Sequence, residues 1–327
     1  MNKVYFLTSI YYTAHKYFNE IQQMPFEFKC INNTYTEEKP LGEGLSGSVS
    51  TAKNGTQKVV IKQAHLGKEK HSKNEIEILT ELKHDHIVKL LDYDTSFTLI
   101  ALECLQGALL GIMEYHAKEG ETLLPVECFS MFVQIISAVK YMHEQGFIHR
   151  DIKPDNILYR VNPGVQNDSN KYLYKLCDFG LSQKCKPDEV LNLYSGTLTY
   201  AAPEQLLVNR KYNQKVDIWA LGVVLFECIT ATEFDPALVV HTQKLDLNDQ
   251  CPGADEYFDD PDLQSTKRMI LFCLKYNPSE RPTAEQVERE AKKEFALEKL
   301  KEELKQEGER EELALIEAKG ILAKFGI

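Results

Sequence analysis

Three glycines and a lysine form the first group of residues able to do chemistry. Gly42, Gly44 and Gly47 lie in GEGLSGSV, a GxGxxGxV spacing. Glycines at such intervals let backbone amides approach phosphate oxygens closely, although a glycine-rich hairpin is as often a plain turn. The spacing falls between two strand-like runs rather than between a strand and a helix, which sets it apart from a dinucleotide-binding fingerprint. VVIK follows, and Lys62 ends that strand where an ammonium could reach the α- and β-phosphates of a nucleotide. Glu75, in the helix-periodic NEIEIL, is a candidate ion-pair partner for it. Taken singly, a strand lysine is ordinarily a solvated edge residue and a helical glutamate ordinary surface charge.

Further words give these residues their meaning: HRDIKPDN at His149–Asn156, DFG at Asp178–Gly180, APE ending at Glu204, DIWALG at Asp217–Gly222 and NPSERPT at Asn277–Thr283. Their agreement in this order by chance is negligible, and over residues 35 to 290 the chain resembles the eukaryotic protein kinase family, serine/threonine branch. The resemblance implies a two-lobed α+β fold, with a small β-rich N-lobe carrying one main helix and a larger, mainly α-helical C-lobe. It implies transfer of the γ-phosphoryl group of ATP to a hydroxyl of a protein substrate, with ATP and Mg2+ as cofactors.

By that resemblance Asp151 accepts or orients the substrate hydroxyl proton, and Lys153 neutralises charge on the transferring phosphoryl group. Asn156 and Asp178 offer oxygen ligands to Mg2+, and Lys62, held by Glu75, grips the nucleotide phosphates. Leu41, Val49, Val60 and Leu158 join the three glycines around the nucleotide, Leu102 guards the back of the pocket, and backbone groups of Glu103 and Leu105 bond the adenine. Val60 departs from the family, which usually has alanine there; two added methyl groups tighten the pocket. Lys153 and Thr197 resemble the serine/threonine branch, where the threonine hydroxyl ties the lysine to Asp151. Glu204 is expected to pair with Arg281, and Asp217 to brace the catalytic loop. Leu79, Leu90, Phe179 and His149 are expected to form a hydrophobic column. Arg150 suits a negative charge on the activation segment, either a phosphate, for which Tyr194 and Ser195 are the nearest hydroxyls, or the carboxylate of Asp188 or Glu189. Cys177, before the DFG, reads as a small buried apolar residue.

The elements that must position these residues follow from periodicity. Leu41–Ala52, Lys58–Gln63, Ile87–Tyr93 and Phe97–Glu103 read as strands, and Lys68–Lys83 as a helix. Beyond Gly107 long apolar-periodic helices take over, notably Pro125–Gln145 and Val216–Thr230. The expected domains are an N-terminal extension over 1–33, a kinase domain over 34–290 with its lobes meeting near 104/105, and a charged helical extension over 291–327. Leu297, Leu300, Leu304, Leu313 and Ile316 in that extension suit packing on the large lobe, a short coiled coil or a partner helix, and a solvated helix is the default.

Composition bounds the rest. A net charge of -11 argues against a nucleic-acid surface. The eight cysteines include no CxxC pair, which fits reduced thiols in the cytoplasm, or in a host cytosol for an exported effector. The apolar Val4–Tyr12 run lacks the marks of a signal sequence, and no run suffices to span a bilayer. Oligomeric state is left open. Two rivals stand beside an active enzyme. A pseudokinase scaffold would be signalled by loss of Lys62, Asp151 or Asp178, all present here, and a small-molecule kinase by loss of the APE and DxWxxG words.

Overall fold

The computed structural model describes residues 26–44, 46–163, 171–185, 189–192, 195–207 and 211–307. The aromatic leader up to residue 25, Tyr194, and the tail with Leu313 and Ile316 lie outside the described residues. The chain divides into two units, one of residues 1–72 and 90–104, the other of 73–89 and 105–327.

The first unit is an antiparallel sheet of six strands: β1 (Glu27–Lys29), β2 (Thr34–Glu43), β3 (Gly47–Asn54), β4 (Gln57–Ala64), β5 (Leu90–Tyr93) and β6 (Leu99–Glu103). Their order is β1-β2-β3-β4-β6-β5. The period-two pattern of β4 divides its faces: Val59 and Ile61 are buried with Ala52, Ala101, Phe28 and Tyr35, while Val60 and Lys62 look to the other side. The sheet curls until its edges meet. Asp92 on β5 accepts hydrogen bonds from the backbone N–H and side-chain amide of Asn32 (3.1 Å each) and from the amide of Asn33 (3.1 Å), both in the β1–β2 turn. The Ile31 N–H donates to the Tyr93 carbonyl at 2.8 Å across the same seam.

β1 falls within the stretch expected to be a featureless extension. It pairs with β2 in the register Phe28↔Tyr35, and both rings are buried in the sheet's core. One inward aromatic in three residues leaves too short an alternation to stand out from the chain around it.

The helix α1 (Glu69–Glu81) carries Glu75 and buries Ile76, Ile78 and Leu79, with Leu82 buried just past its end. The second unit continues with β7 (Gly107–Ala108), α2 (Leu109–Glu119), α3 (Pro125–Glu144), β8 (Phe147–Ile148), β9 (Ile157–Val161), β10 (Tyr172–Leu176) and β11 (Gln183–Lys184). It is completed by α4 (Pro203–Leu206), α5 (Lys215–Thr230), α6 (Pro236–Thr242), α7 (Leu247–Gln250), α8 (Ala254–Tyr257), α9 (Gln264–Cys273) and α10 (Ala284–Glu307). α3 starts at Pro125, with Glu127 reaching back to the Leu124 N–H at 3.1 Å, and stops before Gly146, which adopts φ 76°. α5 is buried on every side from Val216 to Ile229, as expected of a helix that is apolar all round. It is the axis against which α3 and α9 pack.

α10 departs from the expectation of a solvated helix over 291–327. It runs unbroken through residue 290 and docks on α3 and α9. Its most deeply buried side chains there include glutamates: Glu288 pairs with Lys140 (3.0 Å), Glu294 takes a bidentate bond from Arg268 (3.0 Å), and Glu298 accepts from Ser265 (2.6 Å). Leu297, Leu300 and Leu304 are half-buried. An apolar seam therefore gives an incomplete account of which face turns inward, because partners elsewhere in the chain satisfy the carboxylates.

Two neutral histidines sit at the end of α1. The His86 N–H donates to His84 Nδ1 (3.1 Å), which places the His84 proton on Nε2 facing Ser137 (3.4 Å), while His86 Nδ1 donates to the Tyr174 carbonyl (2.9 Å). Burial pushes both imidazoles below the ordinary 6.5. Above 6.5 neither contributes a pH dependence; as the pH falls from there through the lowered values, the unfolded chain takes up protons that the folded one resists, and stability is lost. Melting temperature followed from pH 7.5 to pH 5.5 is expected to drop, and to drop less in His86→Asn.

Candidate active site

β3 and β4 bring the glycine-rich hairpin and Lys62 into one row. Val49 faces Gly42 on β2 and Lys62 on β4, while Val60 faces Leu102 on β6. Cross-strand partners and i, i+2 neighbours share a face, so Val49, Val60, Lys62 and Leu102 point to the same side of the sheet, opposite its core. The hairpin closes with a Gly44 N–H to Gly47 carbonyl bond of 2.9 Å. Gly47 has a steric reason: a Cβ there would lie 2.1 Å from the Gln63 carbonyl oxygen, whereas the space around Gly42 is open. Leu41 is exposed and Glu103 half-buried at the end of β6.

In the second unit the catalytic-loop residues form one hydrogen-bonded network. The loop's foundation is Asp217, wholly inside α5, which accepts from the backbone N–H groups of His149 and Arg150 and from His143 Nε2, each at 2.9 Å. Burial opposes its ionisation, but the His143 bond and the His149 contacts outweigh it and hold the carboxyl below its usual range. Arg150 takes φ 71°, a left-handed conformation that costs about 1 kcal/mol or more and is held by this anchoring. Gly196 passes so close that a Cβ would meet the Arg150 carbonyl oxygen at 2.2 Å, and its φ of +111° also calls for glycine.

Asp151 is buried, and both its oxygens are engaged. Oδ1 accepts from the Thr197 backbone N–H (3.0 Å) and hydroxyl (2.8 Å), while Oδ2 accepts from Asn156 Nδ2 (3.0 Å) and lies 3.4 Å from Lys153 Nζ. Lys153 Nζ in turn donates to the Thr197 hydroxyl oxygen at 3.0 Å. The Asn156 amide also donates to the Asp151 carbonyl (2.8 Å), which fixes Oδ1 as the outward oxygen of that carboxamide. Cys177 is tied to the loop through its N–H to the Asn156 carbonyl (2.9 Å), and Asp178 follows in a left-handed conformation, φ 62°. Asn156 and Asp178 thus supply hard oxygen donors on adjoining backbone, a set that suits Mg2+ sharing phosphate oxygens.

Around this network, Phe179 packs edge-on against His149 at 5.0 Å, and its N–H donates to Glu75 Oε1 at 3.4 Å. Leu158, on β9, and Leu105, ahead of β7, are half-buried. Glu204 and Arg281 form a bidentate ion pair (2.6 and 3.0 Å). The structure thus brings together Asp151, Lys153, Asn156 and Thr197, with Asp178 and Glu75 joined through backbone bonds. Lys62, the glycines, Val49, Val60 and Leu102 belong to the sheet unit.

A family model described as "Protein kinase domain" matches residues 35–294. The chain belongs to the protein kinase family. Similar curated proteins include sperm motility kinase 2B of Mus musculus, 34% identical over 218 residues, or 65% of this chain and 41% of that one. The ovarian-specific serine/threonine-protein kinase Lok of Drosophila melanogaster is 34% identical over 65% of this chain and 46% of its own length. A serine/threonine-protein kinase of Drosophila erecta is 29% identical over 82% of this chain and 36% of its own. The kinase chain spans less than half the length of these relatives. By family it is a serine/threonine-type protein kinase. No helix among the described residues is long and apolar enough to cross a membrane.

Sequence reasoning passed over two residues of this site. Tyr200 donates to Glu227 Oε2 at 2.7 Å, three residues after Thr197, and Asn74 beside Glu75 donates to the Phe179 and Gly180 carbonyls of the DFG. Burial pushes the Glu227 carboxyl up, against the bonds from Tyr200 and the Phe234 N–H, which favour its ionised form. Asn74 opens NEIEIL and Tyr200 lies just ahead of APE, but nothing in either stretch marks them, and each acts on a part of the chain remote in sequence.

Proposed function

We propose that this kinase is catalytically competent and transfers the γ-phosphoryl group of ATP, with Mg2+, to serine or threonine hydroxyls of proteins. The observation carrying this reading is the Asp151–Thr197–Lys153 network, in which each group is held by the others at 2.8 to 3.4 Å. Asp151 Oδ2 faces Lys153 and Asn156, and the carboxylate stands ready to accept a proton from an incoming hydroxyl. Lys153 places its ammonium where negative charge on the moving phosphoryl group needs compensation. Asn156 Oδ1 and the Asp178 carboxylate would hold the metal, which supplies charge neutralisation at the phosphates. Lys62, the glycine hairpin, Leu41, Val49, Val60, Leu102, Glu103, Leu105 and Leu158 are proposed to bind the nucleotide. The eight cysteines are all free thiols, which favours a reducing compartment such as the cytoplasm.

Radiolabelled ATP with Mg2+ and a peptide library, run beside Asp151→Asn, tests the proposal. Label on serine and threonine peptides from the wild type alone supports it; equal label from both proteins, or none from either, overturns it. Thr197→Val removes the hydroxyl bridge and is expected to lower kcat by roughly 10- to 100-fold, as befits one hydrogen bond to a charged group. Steady-state kinetics at saturating ATP would measure it.

A further inference from the structure

The stretch after Asp178 is a short turn over Phe179–Leu181, and turns of this kind leave carbonyl oxygens that something else must satisfy. Two side chains satisfy them here. The Asn74 carboxamide Nδ2, on α1, lies 2.7 Å from the Ser182 oxygen, 3.1 Å from the Gly180 oxygen and 3.3 Å from the Phe179 oxygen. Arg150 takes the remaining carbonyl, that of Leu181, with Nε at 2.7 Å and with Nη2. The orientation of the Asn74 amide follows from its surroundings: all three neighbours are acceptors, so only the NH2 end can face them. It has two protons for three oxygens. The Ser182 oxygen is the nearest of the three, and the Phe179 oxygen also accepts the Ser182 N–H at 3.0 Å.

We propose that Asn74 is a positioning residue for Asp178, acting with Arg150 to hold the DFG backbone in the one arrangement that presents the aspartate to a metal. The proposal rests on the reading of Asp178 as a metal ligand. Asp178 is in a left-handed conformation that an aspartate adopts at a cost, so the turn after it must be held for the carboxylate to stay in place. Glu75 accepts the Phe179 N–H at 3.4 Å, and Asn74 lies closer to the turn, at 2.7 Å from the Ser182 oxygen and 3.1 Å from that of Gly180. The helix and the metal ligand therefore move together, and displacing α1 withdraws donors from the turn at the same moment.

Asn74→Asp is the sharpest variant, because it keeps the size of the side chain and turns an acceptor toward three acceptors. Calorimetric titration with ADP, in Mg2+ and in chelator, reads the metal-dependent gain in affinity without any phosphoryl transfer. Most of that gain is expected to disappear in Asn74→Asp, about half in Asn74→Leu, and all of it in Asp178→Asn, while affinity in chelator stays within twofold in all. Amide exchange at Phe179–Ser182 is expected to accelerate at least tenfold in both Asn74 variants. Should Asn74→Asp not fold, Asn74→Leu carries the same comparison. Unchanged exchange with an unchanged Mg2+ gain overturns the proposal, and faster exchange with an unchanged gain overturns the positioning role. A wild-type protein with no Mg2+ gain removes the metal reading of Asp178 and this proposal with it; a wild type that shows the gain but transfers no phosphate removes only the competence reading.

Discussion

Asp151→Asn is expected to lower kcat by about 10³-fold while nucleotide affinity stays near its wild-type value, since a positioned acid or base contributes on that order. The charge is lost, and so is the hydrogen-bond logic of the loop. On one side of the carboxylate stand the Thr197 N–H and hydroxyl, on the other the Asn156 amide and the Lys153 ammonium. Whichever way an asparagine is turned, its NH2 faces a donor, so Thr197 or Asn156 must give way. A modest fall in melting temperature should accompany the loss of rate. Single-turnover measurement of phosphoryl transfer, with ADP affinity measured in parallel, separates the two effects; a variant retaining more than a tenth of the wild-type rate would rule out Asp151 as the base.

The largest effect on stability is expected from Arg281→Ala. The guanidinium is 1% exposed, stacks over the Trp219 ring at 5.1 Å, and spreads its donors over both Glu204 oxygens and the carbonyls of Lys215 and Lys275. Truncation leaves Glu204, itself 7% exposed, as an uncompensated charge among apolar neighbours, together with unpaired carbonyls. Removing one partner of such a buried pair costs about 3–5 kcal/mol. Set against a net stability of roughly 5–15 kcal/mol, that loss should lower the melting temperature by about 10 °C. Arg281→Lys restores the charge without the fork and should recover only part of it. A melting curve of Arg281→Ala superimposable on that of the wild type would contradict this account.

What the sequence makes legible here is local. GEGLSGSV, HRDIKPDN and DFG are each a few consecutive residues whose spacing carries their chemistry, whereas the faces of β4 show only in its burial, since Val59, Val60 and Ile61 are apolar alike. The Glu204–Arg281 pair was expected from two such words and is present at 2.6 Å. What stays hidden depends on distant partners. Asn74 reaches carbonyls 105 to 108 positions away, and nothing in NEIEIL distinguishes it from a surface asparagine. The inward glutamates of α10 are hidden for a related reason: Lys292 and Lys301 on the same helix pair with Glu288 and Glu298, but the inward direction is set by Lys140, Ser265 and Arg268 arriving from α3 and α9. β1 escapes because Phe28 needs the ring of Tyr35 and the staple from Asp92 to become a strand.

The docking of α10 bears on how this protein can be shortened. A chain ended at residue 290, where sequence words run out, would cut the helix after its second turn and remove Glu294 and Glu298. Arg268 and Ser265 would lose their counter-groups, and the flanks of α3 and α9 that the helix covers would be exposed. A fragment of this kinase that keeps the docked helix therefore runs past Glu298 to Lys305, which pairs with Asp262, and a shorter one that precipitates should be blamed on the missing helix before Asp151 and its partners are doubted.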